Sequence, residues 1–205
     1  MSRGSETRDR IMDVAQDAIL AKGFDATSIE EIVANAEITK SGFFYHFKDK
    51  NALAHALIER HIVIEDEIFD DLEARAKELS DDPLQRMLIG LKLLAELLDD
   101  IPDGHPGCIV ATAAYQDRLF DKDVREANLR AVLGWRQRFK RQFEEIAKLY
   151  PPKEDVDLAA LADMVSSTVE GGLVMSRALN NPAITSEQVM LLRSYVKLLF
   201  APRMH

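Results

Sequence analysis

The stretch Thr39-Lys40-Ser41-Gly42-Phe43-Phe44-Tyr45-His46-Phe47-Lys48-Asp49-Lys50 decides how the rest of the chain is read. The Thr39 hydroxyl can cap a helix, and Ile38 and Phe43 stand at the two positions of a hydrophobic staple. Phe43 and Phe47 then share one face, four residues apart, while Lys40, Ser41, Tyr45 and His46 point elsewhere. So short a helix cannot bury Phe43, Phe44, Tyr45 and Phe47 on every side, so part of the aromatic run must face outward. An outward face of hydroxyls, a cation and flat rings suits a nucleic-acid groove.

Upstream, Ile11, Val14, Ala15, Ala18 and Ile19 recur at steps of three and four, which predicts a helix from about Glu6 to Lys22 with Gly23 ending it. A second helix opens at Thr27, where Thr27-x-x-Glu30 has the spacing of a capping box and Ile29, Ile32, Val33 and Ala36 form the apolar stripe. Only Asn35-Ala36-Glu37-Ile38 separates it from Thr39. Two short helices with so brief a break make a helix-turn-helix, and Ile11, Ala15, Ile32, Phe43 and Phe47 would close a small core behind it.

Downstream the period stays helical. Leu53, Leu57, Ile64, Ile68, Leu72, Ala76 and Leu79 imply one helix of about 45 Å from Asp49 to Leu79. Ser80-Asp81-Asp82-Pro83 restarts a helix. Ile101 to Gly107 is a loop, Cys108 to Gln116 a short helix, and Lys122 to Tyr150 a long one stopped by Pro151-Pro152. Two apolar helices follow, over about Asp155–Asn180 and Ser186–Leu199. The fold class is therefore all-α with about nine helices: a three-helix head over residues 1–48 and a helical bundle over 49–205.

The chain has 205 residues, 47% hydrophobic and 30% charged, enough for a sizeable core. Its amino terminus lacks an apolar signal segment and no run approaches ~18 uninterrupted apolar residues, so a cytoplasmic protein with no membrane span is expected. The single cysteine, Cys108, rules out an internal disulfide and a thiolate-rich metal site. The net charge of −9 opposes a polyanion partner, but residues 1–60 carry 8 Lys/Arg against 10 Asp/Glu, and most of the excess lies beyond them. Binding to DNA would rest on locally placed cations: Lys40, Lys48, Lys50, Arg3, Arg8 and Arg10.

Residues 8 to 53 resemble the amino-terminal domain of the TetR family of bacterial transcriptional regulators, through Arg8, Ile11, Ala15, Gly23-Phe24, Thr27-Ser28-Ile29, Ile32, Ala36, Thr39, Phe43 to Phe47, Lys48-Asp49-Lys50 and Leu53. The resemblance implies a homodimer that places its third helices in successive major grooves of a pseudo-palindromic double-stranded operator. It puts Thr27, Ser28, Lys48 and Lys50 near phosphate, and Lys40, Ser41, Gly42, Tyr45 and His46 against bases or backbone, with Lys40 suited to guanine O6 and N7. Phe44 stands where the family commonly has a Tyr, and Glu37 where it usually has a Gly in a left-handed turn, so either strain of order 1 kcal/mol or a different turn geometry is expected, with weakened DNA binding. The resemblance further implies a carboxy-terminal pocket for an unknown small-molecule effector and a four-helix dimer interface made by the last two helices.

Candidates for that pocket are Ile64, Ile68, Leu91, Leu94, Thr112, Tyr115, Phe139, Ser167 and Glu170, apolar walls with a few polar groups. Candidates for the interface are Leu161, Val165, Thr168, Gly172, Met175, Val189, Leu192, Val196 and Leu199. Gly171-Gly172 inside a helix points to close helix approach or to the floor of a pocket. Cys108 is expected to be a small buried hydrophobe, and the pairs His55/Glu59 and His61/Glu65 surface pairs rather than metal ligands. No phosphate-binding glycine loop, H-E-x-x-H pair or G-x-S-x-G elbow occurs, so neither enzyme activity nor a cofactor is expected. The reading is a ligand-responsive transcriptional regulator, most simply a repressor. The alternative is a small-molecule-binding helical dimer whose head has lost effective operator affinity.

Overall fold

The computed structural model describes residues 3–102 and 104–200. Nine α-helices and no strands occur among the described residues: α1 Arg3–Ala26, α2 Ile29–Asn35, α3 Lys40–His46, α4 Lys50–Leu79, α5 Pro83–Asp99, α6 Ile109–Tyr115, α7 Lys122–Leu149, α8 Leu158–Leu179 and α9 Ala183–Phe200, with a single 3-10 turn at Asp117–Leu119. Gly23 interrupts α1 with φ 87° and ψ 165°, a backbone that residues with a Cβ avoid, so regular winding stops where the glycine was expected to stop it. Asp82 caps α5 by accepting from the Gln85 N–H, with Pro83 in the first turn where its missing N–H costs nothing. Asn180 closes α8 in the left-handed region at φ 51°.

The chain forms two compact units, Met1–Glu65 with Pro106–Val132 and Asp66–His105 with Leu133–His205. The head expected over residues 1–48 thus lies inside a larger unit that also takes in the first half of α4, α6 and the start of α7. In this first unit Ile11, Ala15, Ile19, Ile32, Phe43, Phe47 and Leu57 are buried together with Phe24. The Phe24 ring meets Phe120 edge-on at 4.7 Å.

The second unit is built on Leu84, Leu88, Leu91, Phe143, Leu161, Val165, Val189, Val196 and Phe200. Its helix α9 packs against both α5 and α8, and Arg136 of α7 makes two 2.7 Å hydrogen bonds to Asp163 of α8. Here one expectation fails. Leu161, Val165, Gly172, Val189, Leu192, Val196 and Leu199, expected at a dimer interface, are buried within the single chain; Thr168 is half-buried and Met175 alone is exposed. A different stripe of α8 and α9 is exposed and apolar: Met164, Val174, Met175, Leu179, Leu191, Tyr195 and Leu198. A helix that is apolar on two sides must turn one of them to its own core, and a period of three and four does not say which.

Gly172 has the packing role foreseen for the glycine pair, since a Cβ built there would stand 2.9 Å from Thr185 Cα on α9. Gly134, in mid-α7, would put a Cβ in open space. Gly172→Ala is therefore expected to cost about 1–3 kcal/mol by overpacking, and Gly134→Ala to stabilise by about 0.5–1 kcal/mol, both read from urea melts.

At Asp82, burial opposes ionisation, but hydrogen bonds from the Tyr150 hydroxyl and the Gln85 and Leu84 N–H groups, with the charge of Arg86, outweigh it and hold the carboxyl below its ordinary value. A carboxylate with a lowered folded-state pKa stabilises above the unfolded value and stops doing so as the pH falls through the folded one. Asp82→Ala is expected to cost about 0.5–2 kcal/mol at neutral pH. The gap from wild type should close in melts taken below the ordinary aspartate range.

Candidate functional site

Helix α3 has only seven residues, too few to hold its shape alone in water. Three local contacts fix it. Thr39 Oγ1 accepts from the Gly42 N–H at 3.1 Å, Ile38 is half-buried beside it, and Phe43 and Phe47 are buried with their rings 5.8 Å apart. With that face taken, Tyr45 is left 83% exposed and Phe44 44% exposed, while Lys40 and Ser41 face solvent and Gly42 and His46 are half-exposed. The Tyr45 and His46 rings meet edge-on at 5.0 Å, so the outer surface of α3 is aromatic and polar with one cation.

The turn ahead of it is a Schellman motif. Ile38 N–H donates to Val33 O at 3.1 Å and Glu37 N–H to Ala34 O at 3.2 Å, with Glu37 at φ 52°. The left-handed backbone anticipated from the family's usual Gly is thus present here with a Glu in it.

The start of α2 differs from expectation by one residue. Ser28, not Thr27, is the cap and accepts from the Glu31 N–H at 3.1 Å. Thr27 is fully buried, its hydroxyl donating to Gly23 O at 2.9 Å, so its side chain faces the interior rather than a phosphate. Ser28 is exposed.

The cations are largely engaged. Lys40 Nζ lies 2.7 Å from Glu30 and Lys22 Nζ pairs with Glu31, and these lysines, more than the nearby N–H groups, hold both carboxyls below the usual glutamate range. Lys50 Nζ donates to the Phe24 carbonyl; its partial burial pushes its pKa down, only partly offset by the charge of Asp25. The Phe24 N–H donates in turn to Gln116 Oε1 at 2.9 Å. Lys50 is thus a clasp between α4 and the end of α1, a role its position beside Asp49 did not reveal. Arg8 lies over the Phe47 ring at 5.1 Å, Lys48 and Arg10 are exposed, and the Arg3 side chain lies outside the described residues. Exposed pairs such as Lys40–Glu30 hold weakly in water, so a phosphate or guanine can draw Lys40 away.

Residues 11–57 match the family described as bacterial regulatory proteins, tetR family. The chain is similar to this family through its head. It is 21% identical over 178 residues to the HTH-type transcriptional repressor DhaR of Mycobacterium sp. (strain GP1), covering 85% of this chain and 84% of that one. It is 34% identical over 91 residues to the regulator YvkB of Bacillus subtilis, covering 44% and 45%. Among solved structures, a TetR-family transcriptional regulator from Agrobacterium tumefaciens superposes with a TM-score of 0.79 at 18% identity over 97% of this chain and 100% of that one. The reduced form of Escherichia coli NemR superposes with a TM-score of 0.76 at 17% identity, over 97% and 100%. These likenesses place the whole chain, beyond the matched head, in the fold of the family.

Of the residues expected to line an effector pocket, Leu91, Leu94 and Phe139 do border one cavity, in the second unit, with Phe69, Leu72, Met87, Gly90, Arg86, Arg138 and Glu73. Its volume is about 60 Å³. Ile64, Ile68, Tyr115 and Ser167 are instead exposed, Thr112 donates its hydroxyl to Cys108 O, and Glu170 is half-buried on α8. Cys108 is buried and caps α6, its Sγ accepting from the Ala111 N–H. His55 and His61 lie 3.5 Å and 3.3 Å from Glu59 and Glu65, and no group of three metal-ligating side chains occurs among the described residues. The cavity residues missed from sequence, Arg138 above all, have partners about seventy positions away, and no local spacing signals them.

Glu37→Gly relieves the left-handed strain and removes a negative charge from the turn. It is expected to raise stability by up to about 1 kcal/mol and to tighten DNA binding, read by thermal melts and by titration with duplex DNA.

Proposed function

We propose that this chain is a DNA-binding transcriptional repressor that acts in the cytoplasm as a homodimer, reads a pseudo-palindromic operator with α3 of each subunit, and lets go when a small molecule occupies the cavity beside α4. The observation that carries the reading is α3 itself: a capped helix inside the matched family region, packed through Phe43 and Phe47 and presenting Lys40, Ser41, Tyr45 and His46 outward. The curated relatives DhaR and NemR are named as repressors, which supports the sign of regulation.

The exposed apolar stripe of α8 and α9 supports the dimer. Met164, Val174, Leu191, Tyr195 and Leu198 lie in water in the single chain, and α8 has a mean hydropathy of 1.3 over its most apolar window. An apolar surface of that kind marks an interface, and a twofold arrangement would pair it with itself. A second copy would also set the spacing of two heads, as successive major grooves require. The effector acts by binding one arrangement of the dimer better than the other.

Helix-terminal and side-chain contacts would be divided in the usual way, with Ser28 and Lys48 on phosphate, and Lys40, Tyr45 and His46 toward base edges. A second reading, a ligand-binding dimer with little operator affinity, is favoured by one observation: Lys40 and Lys50 are both engaged within the protein, by Glu30 and by the Phe24 carbonyl.

Selection from random duplex DNA with purified protein is expected to recover a pseudo-palindrome. On that site the Lys40→Ala/Tyr45→Ala double variant should bind at least roughly tenfold more weakly, and log K should fall against log salt with a slope of about 0.9 per neutralised phosphate. Equal binding by the double variant would remove α3 from the reading role. Absence of both a selected sequence and a salt slope would favour the second reading.

A further inference from the structure

We propose that the cavity between α4, α5 and α7 takes a small carboxylate with a short apolar tail, and that Arg138 binds the carboxylate. The inference rests on the reading of this cavity as the effector site and names the chemical class of the effector.

The argument comes from where the charges stand. Arg138 lines the cavity and its side chain is 12% exposed, whereas its partners Asp66 and Asp70 on α4 are 58% and 69% exposed and do not border the cavity. Arg86 is likewise less exposed than its partner Glu145, which does border the cavity. The cations are the desolvated members of each pair and the carboxylates stand in water. A desolvated guanidinium gains from another anion, and its fork of donors suits a carboxylate. The carboxylates it leaves return to water with little loss. A cationic ligand would find Glu73 and Glu145 already paired with those same arginines.

The tail is set by the walls. Leu72, Met87, Leu91, Leu94 and Phe139 surround about 60 Å³, and no atom lies within 4 Å of where a Cβ on Gly90 would stand, so the α5 side is open at that point. The Arg138 guanidinium sits 5.8 Å from the Phe69 ring centroid, which holds it at the boundary between charged mouth and apolar floor. A carboxylate entering here competes with Asp66, Asp70 and Glu73, the acids through which Arg138 fastens α7 to α4. Helix α4 begins four residues after α3 ends, so the exchange loosens the element that leads to the reading helix.

The test is calorimetric titration of the full-length protein with pentanoate, pentanol, pentylamine and inorganic phosphate. Pentanoate is expected to bind at least roughly tenfold more tightly than the other three. Arg138→Gln should lower pentanoate affinity by a similar factor and leave pentanol unchanged. Arg138→Lys should restore part of the loss, and Gly90→Leu should abolish pentanoate binding by filling the cavity. Pentanol or pentylamine binding as well as pentanoate, and blocked by Gly90→Leu, would overturn the carboxylate assignment while leaving the cavity as the effector site. Phosphate binding as tightly as pentanoate would overturn the apolar tail. Pentanoate binding that survives Gly90→Leu, or binding by none of the four, would overturn the cavity reading and the proposal with it.

Discussion

Helix α3 exists because Phe43 and Phe47 are buried. Seven residues do not make a stable helix in water, since the entropy of fixing the first turn is recovered only by further turns or by packing. Here the recovery comes from two rings set into the core of α1, α2 and α4, and from one cap at Thr39. The direction of burial settles the direction of exposure. Once Phe43 and Phe47 point inward, Ser41 and Tyr45 can only point outward, so the exposed face of α3 follows from how the head packs.

The same economy of contacts holds each half of α4. Helix α4 is unbroken from Lys50 to Leu79, with its first half in one compact unit and its second half in the other. In the first unit Arg60 reaches Asp13 and Gln16 of α1; in the second, Asp66 and Asp70 are held by Arg138 of α7. Each half is therefore tied to its own neighbours by an arginine. Such fastenings are specific in geometry yet exchangeable, because their carboxylate ends lie in water.

What was legible in the residues was local. Gly23 and Asp82-Pro83 act through the few peptide groups beside them, and each is found where the sequence puts it, whereas the left-handed turn at Glu37 is implied only by the family resemblance. The misreadings came where a choice depends on distant partners. Thr27 and Ser28 are both good caps, and only the packing of Thr27 against Gly23 O decides between them. The two apolar faces of α8 and α9 are equivalent in period, and the positions of α5 and α7 decide which is core. Arg138 reads as one more charge on a charged helix until α4 is brought beside it.

One residue in the head is gripped through both of its backbone polar groups. The Phe24 N–H is held by Gln116, just after α6, and its carbonyl by Lys50, the first residue of α4. Gly23 just before it supplies the backbone freedom that brings both groups within reach. In mechanical terms this is a pin joint: α4 cannot turn about its own axis without either dragging the end of α1 or letting go of it. Any turn of the first residues of α4 is thus shared with the end of α1 rather than absorbed as slack.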